Sequence, residues 1–172
     1  MVEYSHFCSA GRSTRMNTYD MCEKLSNTLI KDDLLIVGSS SMAIRIFKKR
    51  YHGNAKMIES NKAQGAMGAT IPLSIACSLA GVKRVVCVDG EGSFMQCIAE
   101  LEVVHRHNLN IEFIVIENGG YASIHNSEKR WFGRTSDGAT FPDIEAIGQA
   151  FGIDIMVIHV PHNETPPPRD DA

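Results

Sequence analysis

The feature that most limits the fold of this chain is a set of short, mostly apolar runs, each ending in small and polar residues. They lie at 34–37, 84–88, 111–116 and 153–160. Runs of this length bounded by turns are typical of strands that are buried on both faces. Between and around them we predict helices from about residue 18, over 42–49, 71–80, 94–107 and 141–151, and a short strand near 57–58. This alternation predicts an α/β fold: a doubly wound, mainly parallel sheet with helices on both faces.

The 172 residues fit a single domain. We place an N-terminal arm at 1–17, the domain at 18–160 and a disordered tail at 161–172, where apolar residues are scarce. The Met21–Leu25–Leu29 spacing of four supports the first helix.

Composition excludes several classes of protein. A net charge of −3 and a pI near 6.1 give no reason to expect nucleic acid or a membrane surface as a partner. No run approaches the ~18 apolar residues of a membrane helix. The five cysteines form no CxxC pair, and the N-terminus lacks the order of a signal peptide. We therefore expect reduced thiols and a cytoplasmic location, without a zinc site.

Two glycines flank an acidic residue directly after the run at 84–88, in Gly90, Glu91 and Gly92. Glycine allows close approach of a ligand to the backbone, and the start of the next helix offers free N–H groups. The turn therefore resembles a phosphate cradle. Met95 stands where a dinucleotide fingerprint needs its third glycine, and a Walker A motif is absent as well. A plain strand-to-helix turn is the alternative.

A second polar turn follows the run at 111–116. Asn118 lies 27 residues after Glu91, and Gly120 lies 29 after it. Because neighbouring parallel strands end at the same edge, a carboxylate, an amide oxygen and a glycine carbonyl can converge there. With two phosphate oxygens and a water, these would complete an octahedral Mg²⁺ site. Asp89 is a rival ligand, but it lies two residues earlier, where the strand ends.

Together the two turns resemble the Gly-Asp-Gly…Asn signature of thiamine diphosphate enzymes. The matching residues are Gly90-Glu91-Gly92-Ser93 and Asn118-Gly119-Gly120. The resemblance spans about 18–160 and is to the diphosphate-binding domain of the acetolactate synthase and 2-oxoacid decarboxylase superfamily. It implies thiamine diphosphate and Mg²⁺ as cofactors, with Glu91, Asn118 and Gly120 as metal ligands. The family usually has aspartate in place of Glu91, and often asparagine in place of Glu117.

A third match is the turn Gln64-Gly65-Ala66-Met67-Gly68. The resemblance implies that the Gly65 carbonyl holds the 4′-amino group of the aminopyrimidine. Met67 would lie beneath the thiazolium ring and bend the cofactor into a V, which brings the 4′-nitrogen near C2. Without the other two motifs, ordinary core packing is the simpler interpretation of Met67.

Further contacts are implied for the remaining polar and small residues at the same edge. Cofactor-binding residues are expected to be Ser39, Ser40, Gly65, Ala66, Met67, Gly90, Gly92, Ser93, Asn118, Gly120, Tyr121 and Ala122. The serines could instead cap the helix at 42–49. Ser123 and His125 are candidate substrate-pocket residues, with a structural or solvent contact as the alternative. Ile124 stands where simple pyruvate decarboxylases carry a proton-relay glutamate, so the sequence is more similar to the carboligating, acetolactate-synthase-like branch.

The resemblance implies decarboxylation of a 2-oxo acid and transfer of the resulting acyl-anion equivalent to an acceptor. Such enzymes also need a pyrimidine-binding domain, which donates a glutamate to N1′ of the cofactor. We expect a second subunit to supply it in a hetero-oligomer with two copies of each chain. One alternative is a two-subunit 2-oxoacid decarboxylase of the sulfopyruvate or phosphonopyruvate type. Another is a non-catalytic regulatory relic.

Overall fold

A single parallel sheet forms the centre of the computed structural model, which describes residues 14–136 and 140–160. Its strands are β1 (Thr14–Arg15), β2 (Leu34–Val37), β3 (Lys56–Glu59), β4 (Val85–Gly90), β5 (Ile111–Glu117) and β6 (Ile155–His159). Their order is β1-β6-β5-β4-β2-β3, and every pair is parallel. From β2 the chain adds β3 toward one edge of the sheet, whereas β4, β5 and β6 are added in turn toward the other edge. The point where the order reverses therefore lies between β2 and β4, and sheets of this kind bind ligands beyond such a point.

Helices cover both faces of the sheet. They are α1 (Thr18–Thr28), α2 (Ala43–Arg50), α3 (Thr70–Leu79), α4 (Glu91–Phe94), α5 (Leu101–Arg106), α6 (Ala122–Phe132) and α7 (Ile144–Ala150). One core cluster joins Met21 of α1 and Phe47 of α2 to the sheet, and the other joins Ile71 of α3, Leu101 of α5 and Ile144 of α7. The predicted doubly wound fold is confirmed.

Successive residues of β4 explain why its sequence is almost continuously apolar. Val86 and Val88 belong to the first cluster, whereas Val85 and Cys87 belong to the second. All four are fully buried. Each full burial of such a side chain is worth roughly 1.5–3 kcal/mol against exposure, so a polar residue at any of these positions would be costly.

The helix predicted over 94–107 is wrong in its start and in its continuity. It begins directly after the strand, as α4, continues as a 3₁₀ segment (Met95–Glu100) and ends as α5. Cys97 has non-helical angles (φ −128°, ψ 29°). The break lies beside Gly68, where an added side-chain carbon would be 2.8 Å from Cβ of Gln96 and 3.2 Å from Sγ of Cys97.

The helix predicted over 141–151 begins at Ile144 instead. Asp143 is its N-cap, and its Oδ1 accepts a hydrogen bond from the N–H of Ala146 at 2.9 Å. Apolar periodicity does not indicate α6, because no residue of that helix is buried.

Part of the predicted arm belongs to the fold. Thr14–Arg15 pairs with β6, and the Asn17 side chain caps α1 by accepting from the Asp20 N–H at 2.8 Å. Residues 1–13, which include Cys8, and the predicted tail 161–172 lie outside the described residues. Cys22, Cys77, Cys87 and Cys97 are free thiols. None of the helices in the described ranges is long and apolar enough to cross a bilayer.

An ion triad closes the amino-terminal end of the sheet. The guanidinium of Arg84 donates to Glu112 at 2.7 Å and to Asp33 at 3.0 Å, and all three side chains are at most 7% exposed. Burial alone lowers the pKa of Arg84, but the hydrogen bonds and charges of Glu112 and Asp33 outweigh it and raise that pKa. The arginine is therefore charged and fully paired.

Candidate functional site

The loops after β2, β4 and β5 meet at the carboxyl end of the sheet. The Gly38 N–H donates to the carbonyl of Val88 at 2.9 Å, which holds the β2 loop against β4. A side-chain carbon at Gly38 would lie 2.0 Å from Oδ1 of Asp89. Glycine is thus needed there to let the two loops approach.

Asp89 is fully buried between these loops. Its Oδ1 accepts from the Gly90 N–H at 2.8 Å, and its Oδ2 accepts from the hydroxyls of Thr70 at 2.5 Å and Ser93 at 2.6 Å. Burial raises the pKa of Asp89, and these hydrogen bonds oppose that effect. Both oxygens are engaged, so Asp89 is enclosed by its own chain rather than facing a ligand.

Glu91, the first residue of α4, points toward the loop after β5. Its Oε1 accepts hydrogen bonds from the backbone N–H of Gly120 and, at 3.3 Å, from that of Asn118. Burial raises the pKa of Glu91; the Gly120 N–H lowers it, and the charge of Glu117 raises it further. The residues Glu91, Asn118 and Gly120 therefore lie together, and their role as metal ligands stays a prediction. The Gly120 carbonyl also accepts from the Ala122 N–H at 3.0 Å.

The donor set suits a hard divalent cation, since it offers a carboxylate, a side-chain amide and a backbone carbonyl. Within residues 14–136 and 140–160, no cluster of three or more His, Cys, Asp or Glu side chains could hold a metal. A site at this edge would therefore depend on the neutral oxygens of Asn118 and Gly120 in addition to Glu91.

The β2 loop contains two buried hydroxyls that lack partners. Oγ of Ser39 and Oγ of Ser40 make no hydrogen bond within the described part of the chain. Ser41 differs, because its Oγ accepts from the Ala43 N–H at 3.1 Å and so caps the start of α2. A buried hydroxyl without a partner is unfavourable, and a phosphate oxygen would satisfy it. The helix-cap alternative thus applies to Ser41, and Ser39 and Ser40 fit a polar ligand.

The turn from Gly65 to Gly68 lies beside this edge. Both glycines have positive φ (63° and 78°), and the Gly68 N–H donates to Oγ of Ser93 at 3.0 Å. Met67 is half-buried and is not among the residues that pack against either core cluster. Ala66 is exposed. Met67 is therefore available to a ligand. The contact of Met67 with the thiazolium ring stays a prediction.

Tyr121 forms a wall of the site. Its ring lies against Gly92, where a side-chain carbon would overlap it, and meets Phe141 edge-on at 5.5 Å. Gln96 Nε2 donates to the Tyr121 hydroxyl at 3.4 Å. Ala122 is half-buried at the start of α6. Tyr121 thus links the turn after β4 to the segment before α7.

Farther along α6, His125 is half-buried and Ser123 is exposed. Neither has a hydrogen bond from its side chain among the described contacts that would fix it in a pocket. Their substrate-facing role stays a prediction.

A cleft of about 790 Å³ opens beside the metal-ligand loop. Its lining includes Glu91, Gly120, Phe141, Glu117 and His159. Oε2 of Glu117 lies 2.5 Å from Nδ1 of His159, and both side chains are about half exposed. His159 and Phe141 were not predicted from the sequence, although a histidine that interrupts the last apolar run marks the end of that strand at the same edge.

Comparisons with known proteins identify the family of the chain. Residues 37–167 match the family model described as "Thiamine pyrophosphate enzyme, C-terminal TPP binding domain". The catabolic acetolactate synthase of Raoultella terrigena is 32% identical over 70% of this chain and 22% of its own length. The acetolactate synthase large subunit of Pyropia yezoensis is 29% identical over 61% of this chain and 19% of its own length. The chain therefore spans about a fifth of the curated relatives it matches.

A solved structure supports the fold. The X-ray structure of a Mycobacterium smegmatis protein assigned to the thiamin diphosphate-dependent enzymes superposes with a TM-score of 0.62 at 22% identity, over 87% of this chain and 32% of that one. The family model covers well over half of the chain. This chain belongs to the thiamine pyrophosphate enzymes, in which it corresponds to the C-terminal TPP-binding domain.

Proposed function

We propose that this chain binds the diphosphate of thiamine diphosphate through Mg²⁺, as the cofactor-binding half of an enzyme that acts on a 2-oxo acid. The observation that carries the proposal is the convergence of Glu91 with the Asn118–Gly120 loop, at an edge that also holds unpartnered serine hydroxyls. When bound, thiamine diphosphate supplies a carbon nucleophile that attacks keto carbons.

The chain's own residues would hold the two ends of the cofactor. Glu91, Asn118 and the Gly120 carbonyl would take the cation, and Ser39 and Ser40 would take phosphate oxygens. Gly65 and Met67, on the turn beside them, would contact the aminopyrimidine and the thiazolium. Holding the cofactor's shape in a site away from water is the main way such a protein lowers the barrier.

A binding experiment tests the ligand set. We expect Glu91→Ala and Asn118→Ala each to weaken Mg²⁺-dependent binding of thiamine diphosphate by about tenfold or more, since each removes a direct ligand. Glu102→Ala is the matched control, because it removes an exposed carboxylate on α5 that is outside the ligand set. Titration calorimetry that finds undiminished affinity in both variants would remove Glu91 and Asn118 from the site.

Carboligation of the acetolactate-synthase kind is our proposal for the reaction. Ile124 is apolar and about half exposed, so no acid stands at that position to protonate the decarboxylated product. The two relatives described above are acetolactate synthases, which supports the proposal that the acyl-anion equivalent is transferred to an acceptor. Simple decarboxylation to an aldehyde remains the contrasting outcome of the assay.

Helix α6 supports a partner subunit. Trp131 and Phe132 are 73% and 75% exposed, and Ile124 adds a third exposed apolar side chain. An 11-residue helix is marginal without tertiary packing, and α6 buries none of its residues on this chain. We therefore propose that a subunit with the pyrimidine-binding domain packs on α6, in a complex with two copies of each chain.

The corresponding assay measures CO₂ release and product with thiamine diphosphate, Mg²⁺ and candidate 2-oxo acids. We expect the purified chain to be inactive alone and active with the product of a neighbouring gene as second subunit. Trp131→Ala should weaken that association, whereas Lys129→Ala on the same helix should not. Turnover by the chain alone would contradict the split-enzyme proposal. Binding without turnover in any combination would favour the non-catalytic alternative.

A further inference from the structure

Asp89 connects three segments that the proposed site needs. Its carboxylate accepts from Thr70 at the start of α3, from Ser93 in α4 and from the Gly90 N–H. It also lies directly against Gly38 in the β2 loop. No part of Asp89 is exposed to solvent.

Two hydrogen-bond routes lead from Asp89 to the turn that carries Gly65 and Met67. The first passes through Ser93, whose Oγ donates to Asp89 and accepts from the Gly68 N–H at 3.0 Å. The second passes through Thr70, two residues after Gly68. Hydrogen bonds to an ionised acceptor are stronger than neutral ones, and a network of them can hold segments rigidly.

We propose that Asp89 is a positioning residue that fixes the spacing between the metal turn and the Gly65–Gly68 turn. Through that spacing it sets how well one rigid ligand can contact both turns at once. The inference rests on the proposed function for the identity of that ligand. Asp89 itself touches neither metal nor cofactor.

Two ligands separate this role from a merely structural one. Thiamine diphosphate would contact both turns, whereas inorganic pyrophosphate would contact the metal turn and the serine loop alone. A change in spacing therefore reduces the affinity for the first ligand and spares the second. General loss of folding would reduce both.

The matched pair of variants is Thr70→Val and Ser74→Ala. Each removes one fully buried hydroxyl from α3, but the Thr70 hydroxyl bonds to Asp89, whereas the Ser74 hydroxyl bonds to the Thr70 carbonyl at 2.8 Å. Asp89→Asn is the second probe, since it keeps the size and replaces by an amide the carboxyl group that both hydroxyls contact.

Titration calorimetry with Mg²⁺ and each ligand gives the test on the metal-loaded chain. In Thr70→Val and Asp89→Asn we expect the affinity for thiamine diphosphate to fall about tenfold and that for pyrophosphate to change by less than about twofold. Ser74→Ala should leave the ratio of the two affinities unchanged. An unchanged ratio in Thr70→Val, or an equal change in Ser74→Ala, overturns the positioning role. If the unaltered chain binds pyrophosphate but does not bind thiamine diphosphate more tightly, the positioning role also fails while the cation site stands. Failure to bind either ligand refutes the proposed function itself.

Discussion

At the amino-terminal end of the sheet, Arg84 is held between Asp33 and Glu112, whereas at the carboxyl-terminal end two serine hydroxyls are buried without partners. The first end pairs every charge it buries. The second end also contains carboxylates whose pKa values burial raises. Buried polar groups that are fully paired stabilise a fold, and those left unpaired are characteristic of sites that await a ligand. One end of the sheet therefore stabilises the fold, and the other end is the proposed binding edge, where unpaired groups lower stability.

The largest effect should come from breaking the triad. Arg84→Ala leaves two buried carboxylates without a cation, which we expect to lower the free energy of unfolding by about 3–5 kcal/mol. Arg106→Ala is the control, since its ion pair with Glu102 is more than half exposed and should be worth under about 1 kcal/mol. Urea denaturation measures both. A loss for Arg84→Ala no larger than that of the control would mean that the triad does not stabilise the fold.

A smaller loss is expected from Gly38→Ala at the other end. The new methyl group would overlap the Asp89 carboxylate, and such overpacking typically costs about 1–3 kcal/mol. Gly90→Ala is the steric control, because the nearest side-chain atom to its added carbon lies 3.8 Å away. Equal unfolding free energies for the two variants would show that the close approach at Gly38 is not tightly constrained.

Removing an unpartnered hydroxyl should have the opposite sign. We expect Ser39→Ala to leave the free energy of unfolding unchanged or to raise it by up to about 1 kcal/mol, while weakening pyrophosphate binding. Ser26→Ala is the control and should lower the free energy of unfolding by a similar amount. The Ser26 hydroxyl donates to the Cys22 carbonyl at 2.8 Å and accepts from the His52 N–H at 3.2 Å, and both hydrogen bonds would be lost. A clear loss of stability in Ser39→Ala would indicate that its hydroxyl is already satisfied.

The smallest effect concerns Glu91 and depends on pH. Its pKa is raised in the folded state, so the ionised form is disfavoured there, and stability from this group is lost as pH rises through that pKa. Without metal at pH 7, Glu91→Gln should therefore unfold at a temperature higher by about 2 °C, or roughly 0.5–1 kcal/mol. The difference should shrink toward pH 4. Thermal scans at several pH values would contradict the assignment if the variant were less stable at pH 7, and Mg²⁺ should stabilise only the unaltered chain.

Much of the fold could be predicted from the sequence, because strands buried on both faces need apolar residues at successive positions. Leu34–Val37 and Ile111–Glu117 are of this kind. The turn residues were also predictable, since parallel strands must end at one edge, and this places Glu91 near Asn118 whatever the details of packing.

Other features depend on tertiary contacts that leave no periodic signal. The break at Cys97 lies beside Gly68, which is distant in sequence. Helix α6 has no buried residue, so no apolar face predicts it. The hydrogen bond between Thr70 and Asp89 joins residues 19 positions apart, so only the packed structure distinguishes an enclosed aspartate from a ligand.

The pairing of β1 with β6 determines when this domain can be completed during synthesis. Thr14 lies opposite Ile158, so β1 cannot pair with β6 until nearly the whole domain has been translated. At about 5–20 residues per second, that interval is roughly 7–30 s. The β2, β3 and β4 strands can pair earlier, and β5 remains without its β6 neighbour until β6 has been synthesised. The β1–β6 pair therefore cannot form until β6 has been synthesised, and a chain that stops before β6 lacks that pair.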